Sequence, residues 1–148
     1  MNLLASRVIS QPGKPDGFRH KLARVGRELG AAQIGCSLYE LAPGERAWPY
    51  HLHWGNEEWL IVVAGAPTLR TPEGERVLRS GDVVAFVEGE AGAHDVSNRS
   101  DAPVRVAIFS TLRQGDTVYP DSGKLGAGPP HDRRYFPLDA AVDYWHGE

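Results

Sequence analysis

Glycine and proline recur along this chain as breaks between short apolar segments, and this spacing limits the fold more than any other feature. The 148 residues include 17 glycines and 11 prolines, and these are not gathered into one linker. Short apolar runs separated by turn-forming residues are typical of the strands of a sandwich or barrel. The pattern therefore predicts many short β-strands.

The candidate strands are rich in Val, Ile, Leu and aromatic residues, which favour extended backbone. They are residues 34–41, 47–53, 58–64, 68–70, 76–79, 82–87, 93–98 and 104–111. About eight antiparallel strands make a jelly roll or a small barrel, so the predicted fold class is all-β. The segment Thr71-Pro72-Glu73-Gly74 predicts a hairpin turn, because proline presets one turn dihedral and glycine closes the turn.

Both ends of the chain differ from this strand-rich middle, residues 31–112, which we predict to form the barrel. Residues 1–30 contain one weakly helical stretch, which Gly26 interrupts, so we expect an extended arm or edge strand there. Residues 113–148 are rich in glycine and proline but also carry several aromatic side chains. We expect this irregular tail to pack on the barrel or on a second subunit, because disordered tails are poor in aromatics.

Charge, hydropathy and cysteine content exclude several classes of partner. The 16 basic and 19 acidic residues give a net charge of −3 without a basic stripe, so nucleic acid is not an expected partner. The longest aliphatic run, residues 60–64, is too short to cross a bilayer, and the first residues do not read as a signal peptide. We therefore expect a cytoplasmic protein without a membrane partner. The single Cys36 cannot form an internal disulfide, and its apolar neighbours favour a buried side chain.

The richest polar cluster is His51-Leu52-His53-Trp54-Gly55-Asn56-Glu57-Glu58. On a strand, His51 and His53 point the same way with their Cα atoms roughly 6 to 7 Å apart, so they can share one ion. A carboxylate from the next strand would complete a ligand set suited to Zn, Mn, Fe or Ni, and His94 is a candidate third histidine. An isolated His-x-His is more often a pair of surface or hydrogen-bonded histidines, and the spacing alone leaves both interpretations open.

Residues 44–65 resemble the first motif of the cupin superfamily, G-x5-H-x-H-x3-4-E-x6-G. Glu58 takes the position of the motif carboxylate, after His53. The adjacent Glu57 would point to the opposite face of a strand and is the alternative carboxylate. The sequence departs from the motif by one additional residue before His51.

Residues 81–98 resemble the second cupin motif, G-x5-P-x-G-x2-H-x3-N, with His94 and Asn98 in the pattern. Val87 stands where proline is usual, and two additional residues precede His94. Both departures affect turns and remove no ligand. With two motifs in the right order, the chain resembles the cupins, and its surrounding segments look like those of small bacterial single-domain members. This resemblance implies a family and no substrate.

The resemblance implies a double-stranded β-helix, that is, a jelly-roll barrel, with the N-terminal arm and C-terminal tail outside it. It also implies a divalent transition metal, Mn, Fe, Ni or Zn, held by His51, His53, Glu58 and His94. The candidates for the substrate pocket are Tyr50, Phe86 and Asn98.

Three neutral histidines and one carboxylate leave a bound divalent ion with a net charge of about +1, which attracts anionic oxygen ligands. A six-coordinate ion keeps positions open for a substrate, whereas tetrahedral zinc does not. We expect a metalloenzyme for a small polar anionic or sugar-like substrate, of isomerase, epimerase, lyase or dioxygenase type. The alternative is a binding or sensing cupin without turnover. We also expect a homodimer, because barrel edges need covering.

Overall fold

The apolar segments of the middle of the chain form strands in three antiparallel sheets. The computed structural model describes residues 1–113, 115–129 and 131–148. The strands in these residues are β1 (Ile9–Ser10), β2 (Lys21–Ala23), β3 (Gly35–Leu41), β4 (Leu52–His53), β5 (Glu58–Ala64), β6 (Thr68–Thr71), β7 (Gly74–Val77), β8 (Val83–Phe86), β9 (Asp95–Ser97), β10 (Val104–Ser110), β11 (Thr117–Tyr119), β12 (Lys124–Ala127) and β13 (Arg134–Pro137). One short helix, α1, spans Val25–Glu28. Three single 3-10 turns complete the described structure, at Glu90–Gly92, Pro120–Ser122 and Leu138–Ala140. The predicted all-β fold class is confirmed.

The largest sheet has six strands in the order β1-β2-β3-β10-β5-β8, with β10 paired to both β3 and β5. Because side chains alternate along a strand, Val104 and Val106 of β10 face the barrel interior, whereas Ala107 faces outward. The outward face is covered in part by Val25 of α1. Gly26 of α1 permits this contact, since a Cβ there would lie 2.7 Å from the backbone nitrogen of Cys36.

A three-stranded sheet, β7-β6-β9, packs on the interior face of the six-stranded sheet. Leu69 and Val96 of this sheet share one apolar core with Leu60 and Val62 of β5. Strands β6 and β7 form a hairpin in which Thr71 pairs with Gly74, so the predicted turn is confirmed. The two layers enclose the interior of the barrel.

A four-stranded sheet, β13-β12-β11-β4, brings the C-terminal residues against one end of the barrel. Strand β4 is shorter than the predicted strand over residues 47–53. Proline cannot donate a ladder hydrogen bond, and Pro49 lies within this segment. The remaining pairing is limited to isolated bridges, from Arg46 to Ser97 and from His51 to His94.

For residues 1–30 we expect an extended arm or an edge strand, and the structure has edge strands there: β2 pairs with β3, and β1 pairs with β2. The weakly helical stretch contains the single turn of α1. Cys36 is half-buried against the apolar cluster that contains Val25 and Ala107, and burial raises the pKa of its thiol. Within the described residues, no helix has the length and apolar character needed to span a membrane.

Candidate metal centre

Four sequence-predicted side chains converge at one end of the barrel. His51 directly precedes β4, His53 is the last residue of β4, and Glu58 is the first residue of β5. His94 directly precedes β9, and its backbone exchanges two hydrogen bonds with that of His51, at 3.1 and 2.8 Å. The barrel topology thus brings together residues that are separated by up to 43 positions in the chain.

The donor atoms of these side chains lie close together. The Nε2 atoms of His51 and His53 are 3.0 Å apart, and Nε2 of His53 is 3.3 Å from Oε2 of Glu58. The donor atoms of these three residues all lie within 4.8 Å of one another. Nε2 of His94 reaches the group through Glu58, whose Oε2 is 3.5 Å away. One ion can therefore contact the donor atoms of His51, His53 and Glu58, and Nε2 of His94 lies next to them.

The second ring nitrogen of each histidine has a hydrogen-bond partner outside the cluster. The pairs are His51 Nδ1 with the Pro49 carbonyl (2.9 Å), His94 Nδ1 with the Gly92 carbonyl (2.9 Å) and His53 Nδ1 with Thr117 Oγ1 (3.2 Å). A carbonyl can only accept, so a neutral imidazole bonded to it through Nδ1–H presents an unprotonated Nε2. This arrangement orients histidine ligands for a metal.

The Nε2 atom of His94 gives further support for a metal ion at this cluster. Nε2 of His94 is buried and has no hydrogen-bond partner within the part of the chain that the structure describes. Buried polar atoms are almost always satisfied, so an unpartnered nitrogen aimed at a carboxylate and two histidines needs a further group. A divalent ion would satisfy it.

The electrostatics of the cluster hold the ligands in the forms that bind metal. Burial, together with the nearby His94 and His53, lowers the pKa of His51 to about 3, so its imidazole is neutral at pH 7. Burial alone would raise the pKa of Glu58, but the neighbouring His53 and His94 outweigh the effect of burial and lower that pKa. A neutral imidazole and an ionised carboxylate are the protonation states that metal binding requires.

Aromatic rings surround the cluster. Phe86 stacks face to face on His94, with ring centroids 3.7 Å apart and planes 4° from parallel. Trp48 meets His51 and His94 edge-on, at centroid distances of 5.9 and 5.8 Å. Tyr119 of β11 stacks on His51 at 5.9 Å. The predicted pocket residue Phe86 is thus a wall of the metal cluster, and Tyr119 was not among the predicted site residues.

The two adjacent carboxylates point in opposite directions. Glu57 is exposed, and its Oε1 accepts a hydrogen bond of 3.1 Å from the indole of Trp59. Glu58 is half-buried and faces His53 and His94. This geometry favours Glu58 over Glu57 as the carboxylate ligand.

The other two predicted pocket residues make contacts of a different kind. Tyr50 is buried, and the guanidinium of Arg70 lies 3.9 Å over the centre of its ring. Asn98 is fully buried, and its amide donates to the carbonyls of Leu41 and Ala102 at 2.9 and 2.8 Å. Its Oδ1 accepts two hydrogen bonds from Ser100. The Asn98 side chain is therefore engaged in holding the loop before β10.

A cavity of about 380 Å³ adjoins the cluster and is lined by His53 and Glu58. Its other walls include Thr117 and Arg133, from the C-terminal residues, and Arg24, from the N-terminal residues. Sequence reasoning missed these three residues because no motif contains them. A larger hollow of about 920 Å³ lies against the N-terminal residues and contains none of the candidate ligands.

A barrel of this topology, with a His-x-His segment facing a glutamate and a third histidine, defines a cupin. The family of Cupin_2 cupin domains matches residues 37–111, and the chain belongs to this family. The predicted cupin membership is confirmed. No curated protein shows significant similarity to the chain.

Solved structures share this fold over most of their length. A sugar phosphate isomerase of the cupin superfamily from Silicibacter pomeroyi DSS-3 has 24% identity and a TM-score of 0.82, covering 95% of this chain and 94% of its own. A candidate sugar phosphate isomerase from Acidithiobacillus ferrooxidans ATCC 23270 has 22% identity and a TM-score of 0.85, with coverage of 95% and 91%. The polyketide cyclase RemF from Streptomyces resistomycificus has 16% identity and a TM-score of 0.62, with coverage of 76% and 79%. At these identities the similarity establishes the fold.

Proposed function

We propose that this chain is a metal-dependent cupin enzyme that acts on a small polar anionic or sugar-like substrate. The observation that carries the proposal is the convergence of histidine Nε2 atoms on one carboxylate, with each Nδ1 held from outside. The proposed ligands are His51, His53, His94 and Glu58, and the proposed ion is Mn, Fe, Ni or Zn. Their donor set of imidazole and carboxylate suits these ions.

A bound ion would act as a Lewis acid that polarises a carbonyl or hydroxyl oxygen of the substrate. The chain itself would orient the substrate in the cavity beside Glu58, and the ring of Phe86 would hold the imidazole of His94 in place. Of the isomerase, epimerase, lyase and dioxygenase types, we favour the isomerase type. It is supported by the two structural neighbours described as sugar phosphate isomerases.

A binding or sensing cupin without turnover would use the same ligands. The cavity beside the cluster favours either of these classes over a purely structural ion, because a structural ion needs no space for a further ligand. Incubation of the metal-loaded protein with aldose and ketose phosphates, followed by ¹H NMR, separates the two classes. Interconversion supports the isomerase, and binding without conversion supports the sensing module.

Metal content tests the site itself. We expect about one transition-metal ion per chain by elemental analysis, and we expect His51→Ala and His94→Ala to lose it. His146→Ala is the matched control, because His146 is exposed in the C-terminal residues and far from the cluster in the chain. Metal retained by both cluster variants, or absent from the wild-type protein after loading, contradicts the proposal.

We also propose that the chain forms a homodimer in the cytoplasm. Support for the dimer comes from the outward face of the six-stranded sheet, where Trp59 and Val83 are 50% and 54% exposed. Exposed apolar faces of this kind are common at protein interfaces. The lone Cys36 fits a reducing compartment. Light scattering coupled to gel filtration gives the mass that decides between monomer and dimer.

A further inference from the structure

The cavity beside the cluster is basic, although the whole chain carries a net charge of −3. Two hollows of about 380 and 440 Å³ adjoin each other there, since both are lined by Arg24 and Glu58. Their remaining charged lining residues are Arg27, Arg113 and Arg133. Four arginines and one carboxylate therefore line the two hollows, and that carboxylate faces two histidines.

One of these arginines is fixed by the fold. Arg133 donates to the carbonyls of Gly115 at 2.6 Å and Gly126 at 3.2 Å. It also donates to Oγ1 of Thr117, which contacts His53. We regard Arg133 as a positioning residue that holds the wall of the cavity and adds positive charge to it.

Arg24 and Arg113 differ from Arg133, because their guanidinium groups are not engaged in hydrogen bonds within the described residues. Both are exposed, and within the residues that the structure describes neither forms an ion pair or a side-chain hydrogen bond. Several other arginines are paired with carboxylates, including Arg46 with Asp95, Arg70 with Asp121, Arg99 with Glu75 and Arg105 with Glu40. The guanidinium groups of Arg24 and Arg113 thus retain their donors, and they lie on the walls of the cavity that contains His53 and Glu58.

We propose that Arg24 and Arg113 bind the phosphate group of a phosphorylated small molecule whose other end faces the metal ligands. The planar guanidinium matches phosphate in a bidentate arrangement. Two free arginines, with the charge of Arg133 behind them, favour a dianion over a singly charged carboxylate. The inference rests on the proposed function, because it takes the reacting end of the substrate to lie at Glu58.

The dimensions of the cavity agree with such a substrate. Small-molecule sites are clefts of roughly 300 to 1,000 Å³, with few polar groups that fix orientation. The cavity of about 380 Å³ has the candidate ligands His53 and Glu58 on its lining together with the two free arginines. A phosphorylated molecule of a few carbon atoms would place its phosphate on the arginines and its carbonyl or hydroxyl groups at the cluster.

Calorimetric titration with inorganic phosphate tests this subsite. We expect the Kd for phosphate to rise by about tenfold or more in the double variant Arg24→Ala, Arg113→Ala. The matched control is Arg76→Ala, Arg79→Ala, which removes the same charge from two exposed residues outside both hollows. We expect the control to bind phosphate like the wild-type protein. Equal weakening in both double variants would show a general effect of charge and overturn the subsite.

Two further measurements separate the subsite from the metal proposal. Phosphate binding that depends on Arg24 and Arg113 in the His51→Ala protein supports the subsite even where no metal is held. If the metal-loaded wild-type protein and the metal-loaded Arg24→Ala, Arg113→Ala variant bind phosphate with the same affinity, the subsite is overturned and the metal proposal stands. Acetate serves as the second probe, because acetate binding as tight as phosphate binding overturns the assignment to phosphate.

Discussion

The hydroxyl oxygen of Thr117 lies 3.2 Å from Nδ1 of His53, across the pairing of β11 with β4. This contact joins the C-terminal residues to a candidate metal ligand 64 positions earlier in the chain. Thr117 is buried, and the same oxygen accepts a hydrogen bond from Arg133. The C-terminal residues therefore take part in the construction of the site as well as covering the barrel end.

The first prediction concerns Thr117→Val, which removes the hydroxyl and nearly preserves the volume. We expect metal affinity to fall by about 10- to 100-fold, because loss of an outer hydrogen bond frees the orientation of a histidine ligand. Competition with a fluorescent chelator measures the change. Thr68→Val is the control, since Thr68 is also a buried threonine but lies in the three-stranded sheet. Equal affinity in the wild-type and Thr117→Val proteins would show that the Thr117 hydroxyl does not orient His53 for the metal.

The strands that carry the motif could be predicted because local pattern and tertiary structure agree there. The apolar run over residues 58–64 forms β5 with the predicted bounds. Gly65 ends it with a φ of +85°, and a Cβ at that position would lie 2.7 Å from Cγ1 of Val104. Steric contact with Val104 therefore explains why the first motif ends in glycine at this position. His51, His53, Glu58 and His94 were identified on spacing and resemblance, and the barrel brings them together.

The elements at the ends of the chain could not be predicted in this way. All four residues of β13 are exposed, so this strand has no buried face that an alternating sequence pattern could reveal. Strand β11 pairs with the nearby β12 and also with β4, a contact distant in sequence that no local pattern indicates. The arginines Arg24 and Arg113 come from the two ends, and no spacing in the sequence relates them. The proposed phosphate-binding arginines could therefore not be predicted from the sequence, whereas the proposed metal ligands could.

The second prediction separates the two neighbouring glutamates. We expect Glu58→Gln to lower metal affinity by on the order of tenfold or more, because a neutral amide is a poorer ligand than a carboxylate. Glu57→Gln removes the same charge from the exposed neighbour and should leave metal affinity unchanged. Chelator competition on both variants gives the comparison. A larger loss in Glu57→Gln than in Glu58→Gln would assign the ligand to the other carboxylate.

The third prediction concerns Phe86, which is 4% exposed and stacks on His94. We expect Phe86→Ala to destabilise the fold by about 3 to 5 kcal/mol, because it leaves a cavity in the core. Urea unfolding monitored by circular dichroism measures the loss. Val77→Ala is the control on an exposed position of β7 and should change stability little. A loss below about 1 kcal/mol for Phe86→Ala would mean that the ring is not packed as described.

The last prediction is a pH dependence of stability that comes from His20. This side chain is buried against Tyr39, and its Nδ1 has no partner among the described residues. Burial lowers the pKa of His20 below its ordinary value of 6.5; the charge of Lys14 acts in the same direction, and that of Glu45 opposes it. The unfolded chain therefore binds the His20 proton at a higher pH than the folded chain does. Stability from this group is present above about pH 6.5 and is lost as the pH falls from there towards the folded-state pKa.

We therefore expect the free energy of unfolding of metal-free protein to fall between about pH 7.5 and pH 5.5, and to fall less in His20→Phe. Phenylalanine cannot take up a proton and keeps a ring against Tyr39. Urea denaturation at both pH values, with chelator present, gives the two differences. His131→Phe is the control, because His131 is exposed and its replacement should leave the wild-type slope intact. If His20→Phe and wild-type protein lost the same free energy on acidification, His20 would not be the buried neutral group that the structure shows.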